Sequence, residues 1–154
     1  KLTDVKAYLI HAHGMKYIYN GSGDNLKIYN KGEYNKDDAE ACAMPGMIYD
    51  VLEQNITDAG YNVPHYFYCY ENAFTQESEG KKFTRVVIEG KLNGVTYYYP
   101  IVIRDLKRNC CYSVDVTIKR PGSQNPDSDV EKGTLLATVS VQDWNVLPGT
   151  SVEF

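Results

Sequence analysis

Most of the signatures that announce an enzyme are missing from this chain. No G-x-S-x-G nucleophile elbow, P-loop, dinucleotide fingerprint or H-E-x-x-H occurs in its 154 residues. Its four cysteines contain no C-x-x-C, so they make no metal pattern. No apolar run approaches the roughly 20 residues that a membrane-spanning helix needs, and no signal peptide is visible. The first residue is Lys1, which leads us to expect a mature or cut product. A basic stripe is also absent. Sixteen Lys and Arg stand against 20 Asp and Glu, interspersed, for a formal net charge of −4, which argues against a nucleic-acid partner. There is no heptad and no internal repeat, and only a short stretch reads as helix.

What the chain has in plenty is tyrosine, 14 residues of it against four phenylalanines and one tryptophan. Tyrosine favours strands and suits half-buried sheet surfaces and interfaces. The clearest strand follows Cys110. Tyr112, Val114, Val116 and Ile118 fall on one face, and Ser113, Asp115, Thr117 and Lys119 on the other. This period-2 alternation predicts a strand with one face buried and one wet. A turn-rich loop, Pro121 to Asp129, breaks it. A second alternating run sets Leu135, Ala137, Val139 and Val141 against Thr138, Ser140 and Gln142. Upstream, Arg85–Leu92 and Val95–Ile103 flank Asn93-Gly94, the strongest short hairpin signal because both residues tolerate positive φ. Pro100 lacks an N–H and predicts an edge position or a bulge.

The remaining segments are read in the same way. Residues 2–10 predict an opening strand, and 16–20 with 26–30 a hairpin around Gly21–Asp24. Residues 36–44, KDDAEACAM, predict one short helix, started by Asp37 and Asp38 and stopped by Pro45-Gly46. Residues 65–70, HYFYCY, predict a strand with Tyr66, Tyr68 and Tyr70 on one face and Phe67 and Cys69 on the other. Residues 145–154 read as a terminal strand or an arm. Nine or ten strands and one short helix predict a mainly β fold, an antiparallel β-sandwich, as a single domain over residues 1–154.

Candidate chemistry is thin. Cys110 or Cys111 with His11, His13 or His65 are the available nucleophile and base pairs, and no local motif joins them. His11-x-His13 is read as a strand end rather than a metal pair, since nothing nearby supplies further ligands. Asp127-x-Asp129 lacks the glycine and distal glutamate of a calcium loop and is read as solvated loop. Asn20-Gly-Ser and Asn55-Ile-Thr match glycosylation acceptors, a pattern that arises often by chance. Cys42, Cys69, Cys110 and Cys111 are read as mostly free thiols acting as small hydrophobes, with a single Cys69–Cys110 bridge as the alternative. Adjacent on a strand, Cys110 shares the core face of Val114 and Cys111 points out. The expectation is no catalytic residue, no metal and no cofactor.

In order along the chain, HYFYCYENAF, TRVVIEGKLNGVTYYYPIVI, LKRNCCYSVDVTIKRPG and TLLATVSVQDW resemble the fimbrillins of Bacteroidetes, the FimA- and Mfa-like pilus subunits. The resemblance rests on Glu71-Asn72, Val87–Gly90, Tyr98–Ile101, Arg108-Asn109, Tyr112–Ile118 and Val139–Trp144. It covers residues 65–144, about half the chain, and residues 1–64 carry no assigned motif. It implies a transthyretin-like β-sandwich, the C-terminal domain of a two-domain fimbrial subunit whose N-terminal domain, lipoprotein signal and arginine-protease cleavage site lie upstream. It also implies export as a lipoprotein precursor to the outer cell surface and assembly by strand addition between subunits, in support of adhesion.

Under that resemblance the partners are other pilus subunits, in a homo- or hetero-polymer, with a host surface receptor or glycan as a further candidate. The subunit-assembly candidates are Val139, Val141, Trp144, Val146, Val152 and Phe154, the apolar positions of a donor segment at 139–154. For Val139 and Val141 the competing reading is membership of the last strands of a closed sandwich. Residues 145–154 are the donor-arm candidate. A second functional class is a carbohydrate- or ligand-binding β-sandwich module of a cell-surface protein. It is expected to show Tyr66, Tyr68, Tyr97 or Tyr99 on a flat exposed platform.

Overall fold

A computed structural model describes residues 1–13, 28–29, 53–78, 81–131 and 133–143. The eight strands among them are β1 (Thr3–Ile10), β2 (Ala12–His13), β3 (Ile28–Tyr29), β4 (Glu53–Ile56), β5 (Thr84–Leu92), β6 (Val95–Ile103), β7 (Cys110–Ile118) and β8 (Leu135–Asp143). The fold is mainly β, and among the described residues every strand pairing is antiparallel. The helical content of the described residues is a single 3-10 turn at Asp58–Gly60. The helix expected at 36–44 and the arm at 145–154 lie outside the described residues. So does the hairpin expected at 16–30, apart from Ile28–Tyr29, which pairs with β2.

Four strands make one sheet in the order β4-β1-β5-β6. Its nucleus is the β5–β6 hairpin, whose boundaries match the sequence signals to within a residue. Asn93 and Gly94 both take positive φ, 52° and 81°, so Leu92 pairs directly with Val95. The predicted edge role of Pro100 is realised. Tyr98 exchanges both backbone hydrogen bonds with Ser123 on the side away from β5. Residues two apart in a strand share that direction, so the N–H that Pro100 lacks is not one the β5–β6 ladder uses.

Register sorts the side chains onto two faces. Val86 stands opposite Leu9 and Ile101, and Val87 stands opposite Tyr8 and Pro100. On one face Tyr8, Ile10 and Val87 cluster with Tyr98. On the other, Ile101 and Ile103, with Leu106 beyond β6, receive the β7–β8 ribbon through Tyr112, Val114, Val116, Leu135 and Ala137. Phe67 and Cys69 close the same side over Leu9 and Ala12. Burying such apolar area, at about 25 cal/mol per Å², is the main force holding ribbon to sheet.

Residues 65–70 depart from the expectation. They are extended and keep their alternation, with Tyr66 and Tyr68 out and Phe67 and Cys69 half-buried, but they join no ladder. One bridge, His13–Tyr70, is their only backbone pairing of strand type among the described residues. Side chains supply the contacts instead: Gln54 Nε2 donates to Tyr66 O at 2.6 Å, and His65 meets Gln54 Oε1 and Gly60 O. Alternation reports which way side chains face and carries no information about a neighbouring strand.

The β6–β7 corner is locked by two polar groups. Asn72, 1% exposed, trades backbone hydrogen bonds with Leu106 and donates its amide to Lys82 O and Thr84 Oγ1. Tyr112 donates its hydroxyl to Asp105 O (2.9 Å) and accepts from the Lys107 N–H (2.8 Å). Replacing Tyr112 by Phe removes both bonds while keeping the ring. Urea denaturation is expected to show a loss of about 1–2 kcal/mol with an unchanged m-value.

Candidate assembly surface

The β7–β8 ribbon pairs continuously from Cys110↔Asp143 to Ile118↔Leu135. Along β7 the alternation is complete: each residue from Cys111 to Thr117 with an odd number is exposed, and each with an even number from Cys110 to Ile118 is half-buried. This is the predicted pattern, including Cys110 turned in and Cys111 turned out. Along β8 the pattern holds only near its start. Leu135 and Ala137 are half-buried against the sheet, whereas Val139 and Val141 are 39% and 53% exposed. Register places these two valines opposite Val114 and Tyr112, on the side of the ribbon that packs against the core. They therefore lie on the core-facing side and remain open to solvent. Leu136, on the other side, is 57% exposed.

The ribbon's backbone edges add to this. It forms a separate two-stranded sheet, and among the described residues no further strand pairs with the outer edge of β7 or of β8. Nine-residue strands with open edges present rows of N–H and C=O groups, which are the template for pairing with another chain. Of the assembly candidates, Val139 and Val141 are brought together on this surface. Trp144, Val146, Val152 and Phe154 lie outside the described residues.

The tyrosines divide. Tyr66 and Tyr68 are 66% and 57% exposed, while Tyr99 is fully buried and Tyr97 half-buried. Tyr99 is thus a core residue and not part of a platform. It faces the side of Val86 and Ile101 because it pairs with Ile88 in β5, and burial of its ring is worth more than exposure. The thiols divide as well. Cys69 and Cys110 are not bridged to each other, so the alternative pairing is absent; Cys42 lies outside the described residues. Burial pushes the Cys69 thiol up to about 11, so it stays protonated near neutrality.

Sequence reasoning missed one cluster. Arg85, 3% exposed, shares a sheet face with Val87 and donates to two carboxylates from separate loops. Its Nη1 meets Asp127 Oδ1 at 2.6 Å, and its Nη2 meets Glu77 at 3.0 Å. His11 Nε2 also lies 2.8 Å from Asp127 Oδ1. His11 has φ 53° at the break between β1 and β2, and its carbonyl accepts from the Thr84 hydroxyl at 3.1 Å. The available signal was Arg85 falling in phase with Val87 on the first strand of the predicted hairpin. Among the described residues no group of three or more His, Cys, Asp or Glu side chains is arranged to hold a metal ion, and no helix is long and apolar enough to cross a membrane.

No protein-family model matches this chain, and neither does any curated protein or solved structure.

Two outcomes are expected from this geometry. Burial alone would push the Glu77 carboxyl up, but the Phe83 N–H, the charge and hydrogen bonds of Arg85 and the charge of Lys82 outweigh it and hold the group below its ordinary value of 4.5. A carboxyl lowered on folding stabilises the protein above its ordinary value and loses that contribution as pH falls through the lowered one. Glu77→Gln is therefore expected to flatten the acid limb of a urea-midpoint profile below about pH 4.5. In thiol labelling of the native chain, Cys111 is expected to react promptly, with Cys69 protected until denaturant is added.

Proposed function

We propose that this chain is a structural subunit of a surface pilus, of the fimbrillin kind, that assembles by strand addition between subunits. The observation that carries the reading is the β7–β8 ribbon. It combines valines on the core-facing side that are exposed, at Val139 and Val141, with open strand edges among the described residues. An extended segment laid along such an edge gains main-chain hydrogen bonds, and its alternate side chains cover the open valines. The segment running on from β8 through Trp144, Val146, Val152 and Phe154 is the corresponding donor candidate for a neighbour. Sheet and ribbon are read as two layers of a transthyretin-like β-sandwich. The partners are then other subunits at the outer cell surface, after export as a lipoprotein precursor.

A second reading has its own support. Tyr66 and Tyr68 are exposed on the same side of an extended segment, an arrangement on which a sugar ring can stack. With Tyr99 buried, that reading rests on Tyr66 and Tyr68, and strand addition is preferred.

Val139→Asp and Val141→Asp are expected to abolish assembly and leave monomer stability within about 1 kcal/mol, because both side chains are already solvated. The assay is conversion of the full-length precursor by an arginine-specific protease into SDS-resistant ladders. Material that stays monomeric without any substitution counts against a stalk subunit. Ladders unaffected by removal of residues 145–154 rule out the donor assignment.

A further inference from the structure

The loop between β7 and β8 wraps the free edge of β6. Ser123 and Tyr98 donate to each other's carbonyls at 2.9 Å, and Gln124 Nε2 reaches Thr96 O at 3.4 Å. Gly122 passes so close to β6 that a Cβ there would sit 2.3 Å from Tyr98 O and 2.9 Å from the Tyr99 ring. A side chain at 122 would therefore push the loop off. Farther along, the Asn125 N–H donates to Ser123 Oγ and the Asp127 N–H to Asn125 Oδ1, which shapes the turn. Asp127 then grips buried Arg85 and meets His11. The loop is pinned at two places, on the β6 edge and on a buried cation.

The strand beneath it needs covering. β6 reads VTYYYPIVI, nine residues without a charge. Natural edges are blunted by lysine, by proline, by bulges or by a covering segment. β6 has Pro100 and the loop. From Val95 to Tyr99 it is β-branched or aromatic throughout and uncharged, the composition of a segment that pairs readily with its own kind.

We propose that residues 121–127 are an autoinhibitory strap, and that the occupant they exclude is the β6 edge of a second copy of this chain. A like strand is favoured because two antiparallel copies centred near Tyr98 oppose no like charges. A two-fold pairing also sets the same residues on both sides. Reciprocal hydrogen bonding with Ser123 shows that the Tyr98 edge position accepts a backbone partner. Strap release needs both pins to open, the grip of Asp127 on Arg85 and the Tyr98–Ser123 pair, and loss of either one shifts the balance toward the open edge. This edge belongs to the four-stranded sheet, so the inference goes beyond the ribbon-based reading above, and its test uses different variants.

The test compares the unsubstituted full chain with Asp127→Ala and, separately, Gly122→Val. Asp127→Ala removes the grip, and Gly122→Val lifts the strap with every charge intact. Both are expected to speed hydrogen exchange at the Tyr98 and Ser123 amides by roughly tenfold or more. Both should also add a dimer in sedimentation that the unsubstituted chain lacks, with native far-UV dichroism. A Tyr98→Cys/Ser123→Cys crosslink in the Asp127→Ala background should abolish that dimer, and reducing the crosslink should restore it. If Asp127→Ala fails to fold, Gly122→Val alone decides. Faster exchange without the dimer, unchanged exchange in both variants, or a dimer that the crosslink does not remove would each overturn the proposal.

Discussion

A guanidinium buried to 3% exposure on the face of a central strand is the constraint that the rest of the molecule answers to. Removing a cation from water costs several kcal/mol unless it is paired and hydrogen-bonded. Arg85 is matched from two directions, by Glu77 before β5 and by Asp127 in the β7–β8 loop. Both loops are thereby tied to one point on the sheet. Asp127 also takes His11, which links the break between β1 and β2 to the same place. A purely apolar residue at 85 would satisfy the sheet and take one anchor from each loop.

The opposite face receives the ribbon through apolar contacts. Ile101, Ile103 and Leu106 meet the ribbon through aliphatic and aromatic contacts, and the corner residues Asn72 and Tyr112 fix how it enters. β7 thus packs on the core from Tyr112 to Val116, while the valines in the second half of β8 stay open. A surface of that kind is well matched to a partner that brings its own alternating side chains, because hydrophobic burial and backbone pairing are then completed together.

Much of this was legible in the residues. Asn93-Gly94 located the hairpin, the Tyr112–Ile118 alternation assigned the faces of β7, and Pro100 marked the edge, because each depends on local stereochemistry. HYFYCY misled for a physical reason. A period of two describes any extended segment whose sides differ in burial, laddered or not. Arg85, Asp127, Glu77 and His11 stayed hidden because they are remote in sequence and come together only once the sheet and its loops are in place. Val139 and Val141 were candidates from the start, yet their openness was not visible, since periodicity gives a face and cannot give its cover. Tyr99 shows the same limit in reverse.

The order of strands in the sheet has a kinetic side. β5 and β6 are joined by two residues and can close on the microsecond scale of an isolated hairpin. β1, which lies between β4 and β5, finds both partners only across long stretches of chain. Closing such loops costs entropy before any contact repays it, so high contact order slows the step. β1 is therefore seated late, and until it arrives the inner edge of β5 is exposed to whatever extended polypeptide is nearby.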